Sequence, residues 1–128
     1  MYSAGRYFNK NPYRAVTLWR EAAELDHIKA MFNLALMYEK GEGVEEQSYL
    51  TAFKWYRKAA INENTEAQCY LADMYAEGKG TDKDESAAVE WYEKSANKGF
   101  QMAIIGLEKL ANNGNTRAKE ILENFRKK

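Results

Sequence analysis

One glycine-rich segment carries residue types that can bind phosphate. Gly78-Lys79-Gly80-Thr81 places a lysine between two glycines, and glycine-rich loops hold phosphates through backbone N–H groups and a lysine. A Walker A motif, however, needs G-x-x-x-x-G-K-[S/T] after a strand, and here a glycine follows the lysine. The corresponding segment earlier in the chain, Gly41-Glu42-Gly43-Val44, has a glutamate in place of the lysine. The pattern therefore favours a tight turn over a phosphate site.

Residues suited to nucleophilic or metal chemistry are scarce. The chain has one cysteine, Cys69, and one histidine, His27, so it forms no internal disulfide and lacks the ligands of a zinc site. We expect Cys69 to be a partly buried, unreactive thiol, because no basic residue adjoins it in sequence. We expect His27 in a solvent-exposed turn. Paired carboxylates such as Glu45-Glu46 fall in turns, where acid–base catalysis lacks a dry pocket. The sequence predicts no catalytic residue, no cofactor and no metal.

The composition predicts one folded helical domain. The 128 residues are 45% hydrophobic and 30% charged, which is typical of globular proteins. Lysine and arginine total 19, as do aspartate and glutamate, so net charge gives no case for a nucleic-acid partner. No apolar run approaches the roughly 18 residues of a membrane span, and the first ten residues lack the apolar core of a secretory signal. A single proline and few β-branched residues favour an all-α chain.

The sequence repeats itself about every 36 or 37 residues. The pattern Trp-Tyr-x-Lys-x-Ala at 55–60 recurs at 91–96. Small and apolar positions recur in the same register: Ala15, Ala52 and Ala88; Ala30, Ala67 and Ala103; Leu34, Leu71 and Leu107. Apolar residues at i, i+4, i+7 and i+8 mark one face of a helix, and glycines follow the last of them. Each unit is therefore predicted to contain two helices, with the recurring aromatic residues in the core.

The start and stop signals define seven helices. Proline is favoured in the first helical turn, so Asn11 and Pro12 mark one start. Asn64 and Asn115 are candidate N-caps, and Asp82 with Glu85 has the spacing of a capping box. The predicted helices lie near 12–25, 28–40, 49–62, 65–77, 84–98, 101–112 and 115–127.

Two runs resemble a known repeat family. The run A-x-x-x-L-A-x-M-Y-x-x-G-x-G at 67–80 and the run A-x-x-W-Y-x-K-A-A at 52–60 resemble the Sel-one-like repeat, a helix-turn-helix relative of the tetratricopeptide repeat. The resemblance covers nearly the whole chain. It implies an all-α fold, a right-handed α/α solenoid of about three helix-turn-helix repeats with a C-terminal capping helix. Asp26 and Glu63 stand where the family usually has a glycine, as at Gly99.

The same register divides the single domain into units. They are a partial unit at 1–26, repeats at 27–63 and 64–99, and a degenerate repeat with its cap at 100–128. The first five residues align with Met37–Gly41, so the chain opens at the tail of a repeat's first helix. A fragment of a longer protein is the favoured explanation, and a degenerate first unit stays open.

The resemblance implies a non-enzymatic adaptor or scaffold that binds a partner peptide or helix in its concave groove. We expect the groove residues to be those that vary between units: Asn33, Leu36, Lys40, Tyr70, Asp73, Glu77 and Lys109. The same ridge takes in Phe32. Tyr70 is the candidate anchor, because tyrosine buries a large area at low entropic cost. We expect alanine at Tyr70 and Asp73 to weaken binding without changing stability.

Three other functions stay open. They are a toxin-neutralising or host-directed effector binding protein, a β-lactam-binding or β-lactam-hydrolysing enzyme, and a structural spacer in a longer repeat array. The enzyme is disfavoured because neither Ser48 nor Ser86 starts a Ser-x-x-Lys motif, although Ser95 and Lys98 do have that spacing. We expect a protein or peptide partner, no nucleic acid, no membrane span, and a monomer or weak homo-oligomer. A soluble chain is expected; its compartment is left unassigned, with a secreted or periplasmic parent open.

Overall fold

The computed structural model describes residues 12–127. Within this range the chain forms seven helices and no strand: α1 (Pro12–Glu24), α2 (Ile28–Lys40), α3 (Tyr49–Ile61), α4 (Thr65–Glu77), α5 (Glu85–Asn97), α6 (Gln101–Asn112) and α7 (Thr116–Arg126). Every helix end lies within one residue of its predicted position. None of these helices combines the length and the apolar character needed to cross a bilayer.

Helices that follow one another in sequence pack side by side. The pairs α2/α3 and α4/α5 share the most extensive contacts, and α4 also touches α6 while α5 touches α7. Successive helix pairs therefore stack into an array in which each pair contacts its neighbours, the arrangement of an α-helical solenoid. The predicted all-α repeat fold is confirmed.

The first helix of each full repeat ends in the same way. Gly41 and Gly78 have φ of 76° and 71°, and their N–H groups donate to the carbonyl oxygens of Met37 and Met74, each at 2.8 Å. This is the left-handed C-terminal geometry that glycine enters most cheaply. The repeated glycines of the sequence therefore mark equivalent helix ends.

Two turns hold non-glycine residues in the same left-handed region. Asp26 and Glu63 have φ of 67° and 73°, and Gly99 and Gly114 occupy comparable turns with φ of 90° and 101°. At Asp26 and Glu63 the backbone therefore has the left-handed conformation typical of glycine, although neither residue is a glycine. An L-residue there carries a steric cost of about 1–2 kcal/mol, less for aspartate and asparagine.

The predicted helix caps are partly confirmed. Asn64 Oδ1 accepts from the N–H of Ala67 at 2.7 Å, and Asn115 Oδ1 accepts from the N–H of Ala118 at 2.9 Å. The capping box at Asp82 is wrong: α5 begins at Glu85, and Asp84 Oδ1 accepts from Ala87 N–H at 3.1 Å. An N-cap must directly precede the helix, and Asp82 lies too far upstream. The predicted cap at Asn11 lies outside the described residues.

The core consists of two hydrophobic clusters in series. The first extends from α1 to α4 and the second from α4 to α7. Tyr70, Tyr75 and Trp91 pack against both, so they join the two clusters. Ala52 and Ala59 on α3 are fully buried, and such small residues let neighbouring helices approach closely.

Candidate functional site

Two of the recurring aromatic residues are buried in the core, as predicted, and the others are half-buried and pack against it: Tyr38, Trp55, Tyr75 and Trp91. Tyr56 and Tyr92, which occupy equivalent positions on α3 and α5, are 0% and 4% exposed. The Tyr56 hydroxyl donates to Glu39 Oε1 at 2.6 Å, and the Tyr92 hydroxyl donates to Asp73 Oδ1. Burial, reinforced by the hydrogen bond to a carboxylate, raises the pKa of both phenols far above the ordinary tyrosine value. Both therefore stay neutral donors at all ordinary pH values.

The predicted groove residues on α2 lie at different depths. Asn33 and Leu36 are half-buried, and Lys40 is exposed at the end of the helix. The prediction that Phe32 lies on the exposed groove surface is wrong, because its side chain is buried. Its ring lies 5.9 Å from that of Tyr56 and 5.3 Å from that of Tyr70. The rings of Tyr56 and Tyr70 cover Phe32. This burial results from packing between repeats, which the helical period alone does not reveal.

Three predicted residues meet in one place. Tyr70 and Asp73 on α4 and Lys109 on α6 line a pocket of about 90 Å³. Glu77 lies one helical turn beyond Asp73, and its charge acts on the Asp73 carboxyl group. Asn33, Leu36 and Lys40 are not among the pocket's lining residues. The structure thus joins residues of two successive repeats into one concave feature.

The remaining walls of the pocket were not predicted as site residues. Tyr92 and Gly106 are buried, whereas Met102 and Ile105 are 57% and 41% exposed and form an apolar rim. A Cβ atom at Gly106 would lie 2.4 Å from two atoms of the Tyr92 ring. Glycine is therefore required for Tyr92 to lie against α6. The sequence signal was a glycine in the middle of a predicted helix, in the column that holds Asn33 and Tyr70 in the earlier repeats.

The pocket has an unusual carboxyl group. Burial raises the pKa of Asp73 most, the hydrogen bond from Tyr92 opposes the shift, and the nearby charges of Glu77 and Glu39 raise the pKa further. The Lys109 ammonium lowers it. Burial also raises the pKa of the Cys69 thiol to about 12, so this cysteine is a poor nucleophile at neutral pH.

The glycine-rich segment forms a packed turn. Gly80 has φ of 74°, and a Cβ atom there would come within 2.3 Å of the Tyr49 carbonyl oxygen. The Lys79 ammonium lies 3.4 Å from a carboxylate oxygen of Glu77 and 5.4 Å from the centre of the Tyr49 ring. These contacts hold the turn that follows α4 against the start of α3, in agreement with the turn interpretation.

The serines that bear on β-lactam chemistry have different environments. One Ser-x-x-Lys spacing does occur, at Ser95 and Lys98, but the Ser95 hydroxyl is buried and donates to the Thr65 carbonyl oxygen at 2.9 Å, and the Lys98 ammonium donates to Glu63 Oε1 at 2.9 Å. Ser48 caps α3, its hydroxyl oxygen accepting from the N–H of Thr51 at 3.1 Å, and Ser86 is exposed on α5. Cys69 is fully buried, where a partly buried thiol was expected, and His27 is exposed before α2, as expected. Across residues 12–127, no group of three or more His, Cys, Asp or Glu side chains is placed to hold a metal ion.

The fold and the repeated helix pairs define an α-helical solenoid protein. The Sel1 repeat model matches the sequence at 1–27, 28–64 and 65–100, and the chain belongs to the Sel1 repeat family. Sel1 repeat proteins are generally protein-interaction modules built on a helical scaffold. A comparison with curated protein sequences gave no match.

Three solved bacterial proteins have a similar fold. A protective antigen of uropathogenic Escherichia coli strains superposes with a TM-score of 0.81 at 32% identity, over 85% of this chain and 24% of that one. A Sel1 repeat protein from Oxalobacter formigenes gives 0.78 at 35%, over 88% and 48%. Helicobacter pylori cysteine rich protein B gives 0.65 at 27%, over 69% and 65%. The chain thus matches less than two thirds of the length of each of these proteins.

Proposed function

We propose that the chain is a non-enzymatic adaptor or scaffold module that binds a peptide or helix of a partner protein on the surface formed by α2, α4 and α6. The candidate contact residues are Asn33, Leu36, Lys40, Tyr70, Asp73, Glu77 and Lys109. The observation that carries the proposal is the shared pocket of Tyr70, Asp73 and Lys109, which spans two repeats. A surface continuous across repeats suits an extended ligand.

The character of the chain's potential nucleophiles supports the non-enzymatic part of the proposal. The Cys69 thiol is buried, with its pKa raised to about 12, and the Ser48 hydroxyl serves as a helix cap. The Ser95 hydroxyl is buried and donates to the Thr65 carbonyl oxygen at 2.9 Å. An activated nucleophile needs an adjacent base or a lowered pKa. We therefore expect no hydrolysis of a chromogenic β-lactam. Turnover that disappears in Ser48→Ala or Ser86→Ala would contradict this part of the proposal.

The binding test is best made with exposed charged residues. Alanine at Tyr70 or Asp73 would also remove a ring contact with Phe32 or the acceptor of the Tyr92 hydroxyl, so lost binding and lost stability would be confounded. Glu77 and Lys109 are exposed. The double charge reversal Glu77→Lys with Lys109→Glu keeps the net charge at zero. It also removes the exposed Glu77–Lys79 ion pair at 3.4 Å, a kind of contact that contributes little to stability.

A matched control reverses two exposed charges elsewhere, Glu90→Lys on α5 with Lys119→Glu on α7. The three baits are incubated with lysate of the organism that encodes the chain, and the retained proteins are quantified. We expect a protein held by the wild type and the control and reduced at least ten-fold on the variant with reversed charges at Glu77 and Lys109. Equal retention by all three baits would place binding elsewhere. No specific retention by the wild type would favour a spacer.

A further inference from the structure

The two junctions between successive repeats carry different residues at equivalent positions. Between α2 and α4, the Tyr70 ring lies 5.3 Å from the Phe32 ring and 5.5 Å from the Tyr56 ring. The equivalent positions one repeat later hold Cys69, Tyr92 and Gly106. Three aromatic rings at the first junction thus correspond to a single ring at the second.

The second junction is only partly filled by that ring. Tyr92 lies directly against Gly106, and a pocket of about 90 Å³ remains beside it. A single water needs roughly 10–15 Å³, so the space is large enough for part of a side chain. Met102 and Ile105 stand exposed at its mouth, and apolar residues around a concavity are typical of a site for an anchoring side chain.

The charges around the pocket are mainly negative. Glu39 and Glu77 both act on the Asp73 carboxyl group, and Glu66 acts on Tyr70. Two cations oppose them: Lys109 acts on Asp73, and Lys79 lies 3.4 Å from a carboxylate oxygen of Glu77. Complementary charge speeds encounter and selects partners, so this surface favours a segment with positive side chains near its anchor.

We infer that the pocket between α4 and α6 receives part of an aromatic side chain from a basic segment of a partner protein. The inference rests on the proposed function and names the chemistry of the partner. An aromatic ring would enter the pocket that remains beside Tyr92. Flanking lysine or arginine side chains would face Asp73, Glu77 and Glu66. The aromatic residue enters the pocket, because Asp73 already accepts the Tyr92 hydroxyl and the exposed mouth is apolar.

Three blocked pentapeptides test the inference against the whole 128-residue chain. They are acetyl-Gly-Lys-Trp-Lys-Gly-amide, the same peptide with both lysines replaced by glutamate, and the lysine peptide with leucine in place of tryptophan. Each is titrated into ¹⁵N-labelled protein, and amide shifts are followed by NMR. We expect the lysine–tryptophan peptide to shift the amides of Ile105, Gly106 and Lys109, and to bind at least ten-fold more tightly than the glutamate peptide and about five-fold more tightly than the leucine peptide.

The other outcomes each overturn part of the inference. Equal binding of the leucine peptide would refute the aromatic anchor and leave a site for basic segments. Equal binding of the glutamate peptide would refute the charge preference. Shifts confined to other helices, or no binding by any peptide at millimolar concentration, would refute the pocket itself.

Two exposed isoleucines supply a matched pair of variants. Ile105→Ala removes part of the pocket's mouth, and Ile61→Ala makes the same change on α3; the side chains are 41% and 52% exposed. We expect Ile105→Ala to weaken the lysine–tryptophan peptide at least five-fold and Ile61→Ala to leave it unchanged, with equal melting temperatures. Equal affinities in the two variants would overturn the inference.

The inference and the proposed function can fail separately. If the peptides do not bind but a cellular protein is lost on reversal of the charges of Glu77 and Lys109, the aromatic pocket is refuted and the adaptor proposal stands. If the lysine–tryptophan peptide binds at Ile105 while no cellular protein depends on those charges, the pocket stands and the adaptor proposal is refuted.

Discussion

Replacing Gly106 with alanine is expected to destabilise this protein, although the same change in an ordinary helix is stabilising. Glycine in a helix costs about 1 kcal/mol relative to alanine. In α6, however, the new Cβ would lie 2.4 Å from two atoms of the Tyr92 ring. Favourable carbon contacts begin near 3.5 Å, so the ring or the helix must move by roughly 1 Å.

The surroundings of Tyr92 set the magnitude. The ring is 4% exposed, and overpacking a buried site costs about 1–3 kcal/mol. If the displaced hydroxyl also loses the Asp73 carboxylate, a further 1.5–3 kcal/mol or so is lost. After subtracting the gain of about 1 kcal/mol in helix propensity, the expected net loss is about 0–2 kcal/mol if the hydrogen bond survives and about 1.5–5 kcal/mol if it is lost. A domain of this size loses roughly 4 °C of melting temperature per kcal/mol.

Urea unfolding followed by circular dichroism measures this loss, and Tyr92→Leu supplies the decisive background. Without the aromatic ring, Gly106→Ala should change sign and stabilise the chain by up to about 1 kcal/mol. A higher unfolding midpoint for Gly106→Ala in the wild-type background would refute the reasoning. Equal losses in the two backgrounds would also refute it, since the cost would then not come from the ring.

Two further predictions concern a turn and a carboxyl group. Asp26→Gly should raise the free energy of unfolding by about 0.5–1 kcal/mol, because glycine adopts the φ of 67° at this position without steric cost. The exposed Asp26–Lys58 ion pair at 3.9 Å, which the change removes, contributes little. A lower melting temperature for Asp26→Gly would contradict this prediction. The pKa of Asp73 is raised in the folded state, so folding favours the protonated form of this carboxyl group. Relative to Asp73→Asn, the wild type should therefore gain stability as the pH falls from 7 to about 4, near the ordinary aspartate pKa. Parallel pH–stability curves for the two proteins would contradict this sign.

The helices and their ends were predictable because the signals are local. The spacing of apolar residues predicted each helix. Gly41 and Gly78 marked the ends of α2 and α4, because the left-handed conformation found there is one that glycine itself favours. The cap at Asp84 was missed, because Asp82 has the capping-box spacing to Glu85 and Asp84 does not. Only the start of α5 at Glu85 identifies Asp84 as the N-cap.

The candidate site was less predictable because it depends on contacts between repeats. Tyr70, Asp73 and Lys109 were selected as variable positions on one face, and they do share a pocket. The burial of Phe32 and the approach of Tyr92 to Gly106 could not be inferred from helical period. Both depend on how far apart neighbouring helix pairs stand, a distance set by side chains on three or more helices at once.

The two tyrosine–carboxylate hydrogen bonds have a consequence for designing repeats of this kind. Tyr56 and Tyr92 are equivalent, yet their acceptors, Glu39 and Asp73, are one helical turn apart in the repeat register. The position equivalent to Asp73 in the earlier repeat is Leu36, and the position equivalent to Glu39 in the later repeat is Ala76. A designer can therefore assign the acceptor to either position in each repeat. The other position then becomes free to vary, and a library built on this choice would diversify the binding face while keeping every buried hydroxyl paired.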